Sequence, residues 1–287
     1  MNKNLRITTL VEDTALSEDL LAEHGLSFWI EYGDKRILFD TGQSDILVRN
    51  AKMLGINLAE ADAIVISHGH YDHTGGLSAI LDIAPKAAIY VHPAALEPKF
   101  SRKTSGVKSI GIPYLAKKAV QRRHVVWTAT PARIFPGMSV TGQVPRINNF
   151  EDVGGAFFVD ENYQKPDELL DDQTLFIESA RGLVVVLGCA HSGVVNALSY
   201  ISNLTSRNKI YAVIGGMHLL NASKERIEQT ISVLQEYNIQ KIGVAHCTGA
   251  GAVRRFSDAF KDRCFSCSAG TRISFEKTKI YSCYKTN

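Results

Sequence analysis

Short apolar runs rich in β-branched residues alternate with segments of helical periodicity at both ends of this 287-residue chain. The runs 63–67 and 183–187 have the length and composition of buried strands. Each is followed by a stretch with apolar residues at helical spacing, such as Val194 and Ile201. Alternation of this kind predicts an α/β fold. Because it occurs at both ends, we expect residues 1–287 to form a single domain made of two similar halves.

The composition excludes several classes of protein. With 45% apolar residues, a chain of this length can bury a full core, so disordered and fibrous proteins are excluded. The first thirty residues mix acids with apolar residues, unlike a secretory signal, and no apolar stretch is long enough to span a bilayer. Five cysteines form a sparse, odd set that does not suggest a disulfide framework. We therefore expect a cytoplasmic protein that does not associate with a membrane.

Residues 97–170 are the least periodic part of the chain and carry an uneven share of positive charge. Eight Lys or Arg and a single acid lie between Glu97 and His124, although the whole chain has a formal charge of only +3. That total is too small to imply a nucleic-acid partner. We expect this segment to be an insertion or lid with a few strands. Its charge either forms an ordinary solvated surface or steers an anionic small-molecule substrate.

The densest group of potential ligands is the run His68-Gly69-His70-Tyr71-Asp72-His73, called the metal loop below. It follows a predicted strand and precedes a glycine-rich turn into a helix, so one loop can direct three imidazoles and a carboxylate at one point. Such ligands suit Zn²⁺, Mn²⁺ or Fe²⁺. The alternative, a solvated His-rich turn, fits neither the dense spacing nor the strand context. His68, His70, Asp72 and His73 are therefore predicted to bind one or two divalent transition metal ions, with zinc preferred.

Three further histidines each lie just past the carboxyl end of an apolar strand: His191, His218 and His246. Ligands of α/β sheets bind at that edge, so these side chains can converge on the metal loop from distant parts of the sequence. Alone, each would be interpreted as a structural histidine; together they are predicted to be metal ligands. His24, in Glu23-His24-Gly25, lacks support from a second motif, yet it can approach the site and contact substrate.

Other candidates have ordinary structural alternatives. Asp40 ends a predicted strand, where it can cap a helix or turn, or accept the free N–H of a metal-bound imidazole; we favour the second role. Arg146 can grip a phosphate through its forked guanidinium, but a surface salt bridge explains it nearly as well. Cys264 and Cys267 have redox or zinc spacing but no second pair nearby, so we expect them to be structural.

The motif His68-x-His70-x-Asp72-His73-x-Gly75-Gly76, preceded by Phe39-Asp40-Thr41-Gly42, resembles the metallo-β-lactamase superfamily over nearly the whole chain. The resemblance implies a four-layer αβ/βα sandwich with metals at one edge. In that superfamily the first metal would be bound by His68, His70 and His191. The second would be bound by Asp72, His73 and His246.

Further motifs resemble one subgroup of that superfamily, usually described as metal-dependent hydrolases and including the dihydropterin ribofuranosylaminobenzene phosphate synthases. The motifs include Gly188-Cys189-Ala190-His191-Ser192-Gly193, Gly215-Gly216-Met217-His218-Leu219 and His246-Cys247-Thr248-Gly249. Many members with two metals carry a bridging aspartate where this chain has Gly216-Met217-His218. His218 can replace that bridge as a terminal ligand, or it can contact substrate; both interpretations stay open.

The metal loop and the resemblance together predict a metal-dependent hydrolase acting on a small anionic, phosphate-bearing substrate. A Zn²⁺-type ion lowers the pKa of bound water towards ~7, so a metal-bound hydroxide is available at neutral pH, and Asp72 can orient that water or take its proton. One alternative is a transferase of the synthase type, which releases diphosphate when an aromatic nucleophile attacks a pterin methyl carbon. Another is a metal-bearing protein that binds a ligand without turnover. The sequence leaves the oligomeric state open.

Overall fold

Two seven-stranded sheets pack face to face, and helices cover the outer face of each. The computed structural model describes residues 4–103 and 106–275. Its four layers form the αβ/βα sandwich that the resemblance implies, so the expected fold is confirmed. Within the described ranges, no helix is both long and apolar enough to cross a membrane.

The amino-terminal elements build most of the first sheet and its helical cover. The hairpin formed by strands Ser27–Tyr32 and Lys35–Phe39 turns at Gly33-Asp34, where Gly33 takes a φ of 63°, a left-handed conformation that glycine adopts without strain. The helix Ile46–Met53 ends before Gly55, which takes a φ of 70°, a conformation common just past a helix end. The elements are β1 (Leu5–Val11), β2 (Ser27–Tyr32), β3 (Lys35–Phe39), α1 (Ile46–Met53), β4 (Ala63–Val65), α2 (Tyr71–Thr74), α3 (Leu77–Ile83) and β5 (Ala88–Val91).

Residues 97–170, which the sequence predicts to be an insertion or lid, contribute strands to both main sheets and a helix to the outer face of the first sheet. Their elements are β6 (Phe100–Lys103), β7 (Gly106–Ser109), α4 (Tyr114–Gln121), β8 (Val125–Trp127), β9 (Ala132–Phe135), β10 (Met138–Val140) and β11 (Phe157–Phe158). Strand β8 extends the first sheet beside β5, while β9 and β10 extend the second sheet. Strands β6, β7 and β11 form a separate three-stranded sheet, called the small sheet below. The interpretation of residues 97–170 as one insertion is therefore too broad, because these short strands complete both main sheets.

The carboxyl-terminal elements repeat the strand–helix pattern. They are β12 (Leu175–Ser179), β13 (Gly182–Leu187), α5 (Val194–Thr205), β14 (Ile210–Gly216), α6 (Lys224–Glu236), β15 (Lys241–Ala245), α7 (Ala250–Phe260), β16 (Cys264–Ser266) and β17 (Arg272–Ser274). Strand β17 crosses back to pair with β1, so the end of the described chain forms one edge of the first sheet. The two sheets have the orders β17-β1-β2-β3-β4-β5-β8 and β16-β15-β14-β13-β12-β10-β9.

Apolar clusters hold the four layers together. The central cluster joins the facing surfaces of the two sheets, with Phe28 and Ile37 from the first and Val184 and Ile214 from the second. A second cluster packs α5, α6 and α7 onto the outer face of the second sheet. A third packs α1, α3 and α4 onto the first sheet. Burial of apolar area at roughly 25 cal/mol per Å² makes these three interfaces the main source of stability.

Parallel pairing places the loops that carry the candidate ligands. Strands β3, β4, β5 and β8 run parallel in the first sheet, and β13, β14, β15 and β16 run parallel in the second. The carboxyl ends of parallel strands meet at one edge of a sheet, where open α/β sheets bind ligands. The metal loop follows β4, and His191, His218 and His246 follow β13, β14 and β15.

Candidate metal centre

The backbone of the metal loop is held in place by a buried carboxylate and by close packing against Ala95. The Gly69 N–H donates a hydrogen bond to Asp171 Oδ2 over 2.7 Å. A Cβ at position 69 would overlap the backbone of Ala95, so only glycine fits between the two histidines. Asp171 in turn accepts a hydrogen bond from Lys99 Nζ, at 2.9 Å, and Lys99 is almost fully buried. These contacts fix the directions of His68 and His70.

His68, His70 and His191 form a first group of ligands. Their ring nitrogens lie within 4.8 Å of one another, and all three side chains are buried. The Nε2 atoms of His70 and His191 are buried without a hydrogen-bond partner in the described structure. Because buried polar atoms are almost always satisfied, such orphaned nitrogens indicate a place for a metal ion. His191 Nδ1 donates to Val153 O over 2.9 Å, which leaves its Nε2 lone pair free.

The three imidazoles of the first group favour their neutral form. Burial lowers the pKa of His70 to about 3, although the nearby Asp72 carboxylate partly opposes that shift. Burial and the neighbouring His73 hold the pKa of His68 well below its usual range. Burial and the neighbouring His218 likewise hold the pKa of His191 well below its usual range. Neutral imidazole is the form that binds a metal, so these three residues fit a divalent ion.

Asp72, His73 and His246 form a second group, and their ligand atoms also lie within 4.8 Å of one another. Asp40 accepts a hydrogen bond from His73 Nδ1 over 2.7 Å, in the arrangement that the sequence suggests for it. Asp40 also accepts from the N–H and the hydroxyl of Ser67, both at 2.7 Å. One buried carboxylate therefore orients His73 and the strand end that leads into the loop.

Asp13 and His24 extend the second group towards solvent. Asp13 Oδ1 accepts from His246 Nδ1 at 2.7 Å, and its Oδ2 lies 3.3 Å from His24 Nδ1. His24 Nε2 lies 3.3 Å from Asp72 Oδ2, so His24 does approach the site. The hydrogen bonds with Asp13 and then Asp72 raise the pKa of His24 to about 9. Sequence reasoning missed Asp13, although it follows β1 at the same edge as the ligands.

His218 lies beside the first group without joining either group. Its ring centroid is 4.1 Å from that of His191. Its Nε2 donates to Gly154 O over 3.2 Å. Among the described residues, its ring nitrogen groups instead with the thiols of Cys189 and Cys247.

Arg146 does not reach the ligand groups. Its guanidinium donates to the carbonyl oxygens of His191 and Glu168, each at 2.8 Å. The pocket that contains the ligands is lined by other residues. A direct anion contact by Arg146 therefore finds no support here, because its N–H groups already bind two carbonyls and steady the His191 loop.

The cysteines at the carboxyl end lie outside the candidate ligand groups. Cys264 is partly buried, and Cys267 is fully buried. Burial raises the pKa of both thiols, as expected of inert structural cysteines. Neither joins a possible metal group among the residues that the structure describes. Cys283 lies outside the described residues.

One pocket of about 390 Å³ is lined by members of both ligand groups. Its wall includes His70, Asp72, His191 and His246 together with Phe157 of the small sheet. Arg102 and Lys108, also on the small sheet, line its rim. Lys108 Nζ lies 3.2 Å from the hydroxyl of Tyr71 in the metal loop. Part of the basic segment noted in the sequence therefore faces the ligands.

The fold and this pocket define a class of protein. The family model of the metallo-beta-lactamase superfamily matches residues 21–195, more than half of the chain. The chain therefore belongs to the metallo-β-lactamase superfamily.

Individual relatives extend the likeness over nearly the full length. The chain is 34% identical, over 95% of its length and 97% of the relative, to the 7,8-dihydropterin-6-methyl-4-(beta-D-ribofuranosyl)-aminobenzene-5'-phosphate synthase of Methanocaldococcus jannaschii. A solved structure of a metal-dependent hydrolase of the beta-lactamase superfamily matches with a TM-score of 0.80 and 30% identity, over 94% of this chain and 98% of that one. Zinc-bound PqqB from Methylobacterium extorquens shares the fold alone, with a TM-score of 0.56 and 14% identity over 93% of this chain and 99% of that one.

Proposed function

We propose that this protein is a metal-dependent hydrolase of a small phosphate-bearing substrate. The observation that carries the proposal is that two ligand groups open into one pocket whose rim carries Arg102 and Lys108. A volume of about 390 Å³ suits a small molecule rather than a polymer. The chain's cytoplasmic location and its lack of a nucleic-acid partner stay predictions from the sequence.

The donor set favours zinc. The first group offers three imidazoles, a ligand set typical of catalytic zinc sites that leave a coordination position open. The second offers two imidazoles and a carboxylate, which also suit Mn²⁺ or Fe²⁺. Such an ion would lower the pKa of water and polarise the scissile bond as a Lewis acid.

The residues around the second group can bind protons or accept them from water. Asp72 Oδ2 lies 3.3 Å from His24 Nε2 and 3.2 Å from His246 Nε2, so this carboxylate can orient a water molecule or take its proton. Because the pKa of His24 is raised to about 9, its ring carries a proton at neutral pH. His24 lines the pocket, where its charged ring can attract an anionic substrate.

The rim supplies recognition of an anion. Arg102 and Lys108 come from two strands of the small sheet and line the same pocket as the ligands. Guanidinium binds phosphate in a forked geometry, and ammonium adds a point charge. The aromatic rings of Phe157 and Tyr71 in the pocket wall can contact an organic group attached to that phosphate.

The test is turnover of a panel of phosphomonoesters, phosphodiesters, lactones and thioesters by zinc-loaded protein. We expect at least one phosphoester to be cleaved, with a higher KM in Lys108→Ala and in Arg102→Ala. Lys118→Ala is the matched control, because this exposed lysine contacts the ring of Tyr114 away from the pocket. No cleavage of any phosphoester at full metal occupancy would reject the proposal.

A second candidate is a synthase-type transferase that releases diphosphate. It is favoured by the 34% identity to the synthase of Methanocaldococcus jannaschii over nearly both full lengths. In this case the basic rim would neutralise a diphosphate leaving group while an aromatic co-substrate replaces water as the nucleophile. Pyrophosphate release that requires the aromatic co-substrate would favour the transferase; release in water alone would favour the hydrolase. Tight binding of such a substrate without any product would favour the ligand-binding alternative.

A further inference from the structure

Three possible metal donors lie together beside the two ligand groups, and one of them, Cys189, also lies within 4.8 Å of ring nitrogens of His68 and His73. They are the thiols of Cys189 and Cys247 and a ring nitrogen of His218, all within 4.8 Å of one another. Both cysteines are buried, and both line the pocket. This set is called the sulfur group below.

The ring of His218 is oriented as a ligand would be. A carbonyl oxygen only accepts hydrogen bonds, so the contact with Gly154 O at 3.2 Å requires the proton on Nε2. The lone pair of the neutral ring is then on Nδ1, which is buried without a hydrogen-bond partner in the described structure. Donation of the second ring N–H to a carbonyl is the usual support of a metal-bound histidine. A Cβ at position 154 would overlap this ring, so a glycine is required there.

The backbone also accommodates the sulfur atoms. The His218 N–H points at Cys247 Sγ over 3.3 Å, a contact that stabilises a thiolate. A Cβ at Gly216 would lie 2.7 Å from Cys247 Sγ, so the absence of a side chain there makes room for the sulfur. Cys189 Sγ lies 3.1 Å from His73 Nε2, which places the sulfur group directly beside the second ligand group.

We propose that Cys189, Cys247 and His218 bind a metal ion of borderline or soft character, such as Zn²⁺ or Co²⁺, at a position separate from the two His and Asp groups. Two sulfur–metal bonds and one nitrogen–metal bond form, and the two thiol protons pass to solvent. The two thiolates balance the charge of a divalent ion, while the ring stays neutral, which suits a buried site. Two cysteines and one histidine leave a fourth tetrahedral position open. The proposal does not depend on the identity of the substrate.

The test is cobalt substitution of the whole protein under anaerobic, reducing conditions. Thiolate bound to Co²⁺ gives an intense sulfur-to-metal charge-transfer band in the near ultraviolet, whereas His and Asp ligands give only weaker visible bands. We expect the near-ultraviolet band in the wild type and its loss in Cys189→Ser and Cys247→Ser. Cys264→Ser is the matched control and keeps the band. The visible bands of the other groups report that each variant is folded and loaded.

Three outcomes would overturn the proposal. The first is a cobalt-loaded wild type with visible bands and no sulfur band. The second is a sulfur band that survives in Cys247→Ser, which would make Cys189 a ligand of the second group alone. The third is a band unchanged in shape and cobalt affinity in His218→Ala. X-ray absorption of the zinc-loaded protein gives an independent check: sulfur scattering at ~2.3 Å from the zinc is expected in the wild type and absent from the double cysteine variant.

Discussion

The metal loop and the three histidines of the second sheet reach the same pocket with different kinds of support. Four candidate ligands share one loop, and that loop is held by two buried carboxylates, Asp40 and Asp171. The histidines of the second sheet come from three separate strand ends, and each has its own hydrogen-bond partner. A change behind the loop should therefore disturb both ligand groups, whereas a change behind one histidine should disturb one group.

The largest effect is expected from Lys99→Met. The Lys99 side chain is 1% exposed and binds Asp167 and Asp171, which are 6% and 0% exposed, each at 2.9 Å. Removing the cation leaves two buried carboxylates without compensation, and breaking a buried ion pair costs about 3–5 kcal/mol. Urea denaturation should show this loss of unfolding free energy, together with weaker metal binding at both groups. Lys86→Met, at an exposed position, is the control. A loss below ~1 kcal/mol would mean that the buried pair does not support the loop.

A change in pH should alter the carboxyl group that supports the chain beside His191, which is Asp172. Burial raises the pKa of Asp172 to about 6, and its Oδ2 accepts from the N–H of Ser192 over 2.8 Å. Between the ordinary pKa of ~3.9 and about 6, the folded protein binds a proton that the unfolded chain has lost. The contribution of Asp172 to the unfolding free energy should therefore fall by roughly 3 kcal/mol as the pH rises through this window, and stay level above it.

Asp172→Asn tests that window, because an amide cannot ionise but can still accept the Ser192 N–H. Denaturation midpoints at about pH 4.5 and pH 7 should differ less in the variant than in the wild type. Asp262→Asn, at an exposed position, should keep the wild-type difference. Equal pH slopes in the wild type and Asp172→Asn would contradict the raised pKa.

Asp13→Ala should affect the second group alone. It removes the acceptor of His246 Nδ1, and loss of such a partner typically lowers metal affinity by ~10–100-fold. Competition with a chelator should show one weakened metal position and one unchanged. Weakening of both positions to the same extent would show that the two groups are not supported independently.

Arg146→Ala should give the smallest effect, confined to the first group. The substitution removes a hydrogen bond to the His191 carbonyl, a net loss of roughly 1 kcal/mol. We expect a fall in metal affinity of no more than ~10-fold and an unchanged KM for an anionic substrate. A large rise in KM with metal affinity unchanged would show that Arg146 contacts the anion directly.

Sequence reasoning located the parts of this pocket that follow regular strands. The metal loop could be found because its candidate ligands are adjacent, and His191 and His246 because each follows an apolar strand. The supports could not be found in the same way. Asp171 lies 102 residues from Gly69, and Lys99 lies 72 residues from Asp171, so only the folded backbone brings them together.

Other residues were missed because their types are common. Asp13 follows β1 as the histidines follow their strands, but a single aspartate in a loop has many ordinary roles. The spacing of Cys247 matches no cysteine motif, although this residue directly follows a candidate ligand. The short strands β8, β9 and β10 have three or four residues each, too few for an alternating pattern to predict them.

The central claim is that His68, His70 and His191 converge on one metal ion. Anomalous diffraction at the zinc edge from crystals of the zinc-loaded protein tests it most directly. We expect a peak at about 2.0–2.1 Å from one ring nitrogen of each of His68, His70 and His191, the ordinary zinc–nitrogen bond length. The claim would be contradicted if fully loaded crystals showed no peak within bonding distance of these nitrogens.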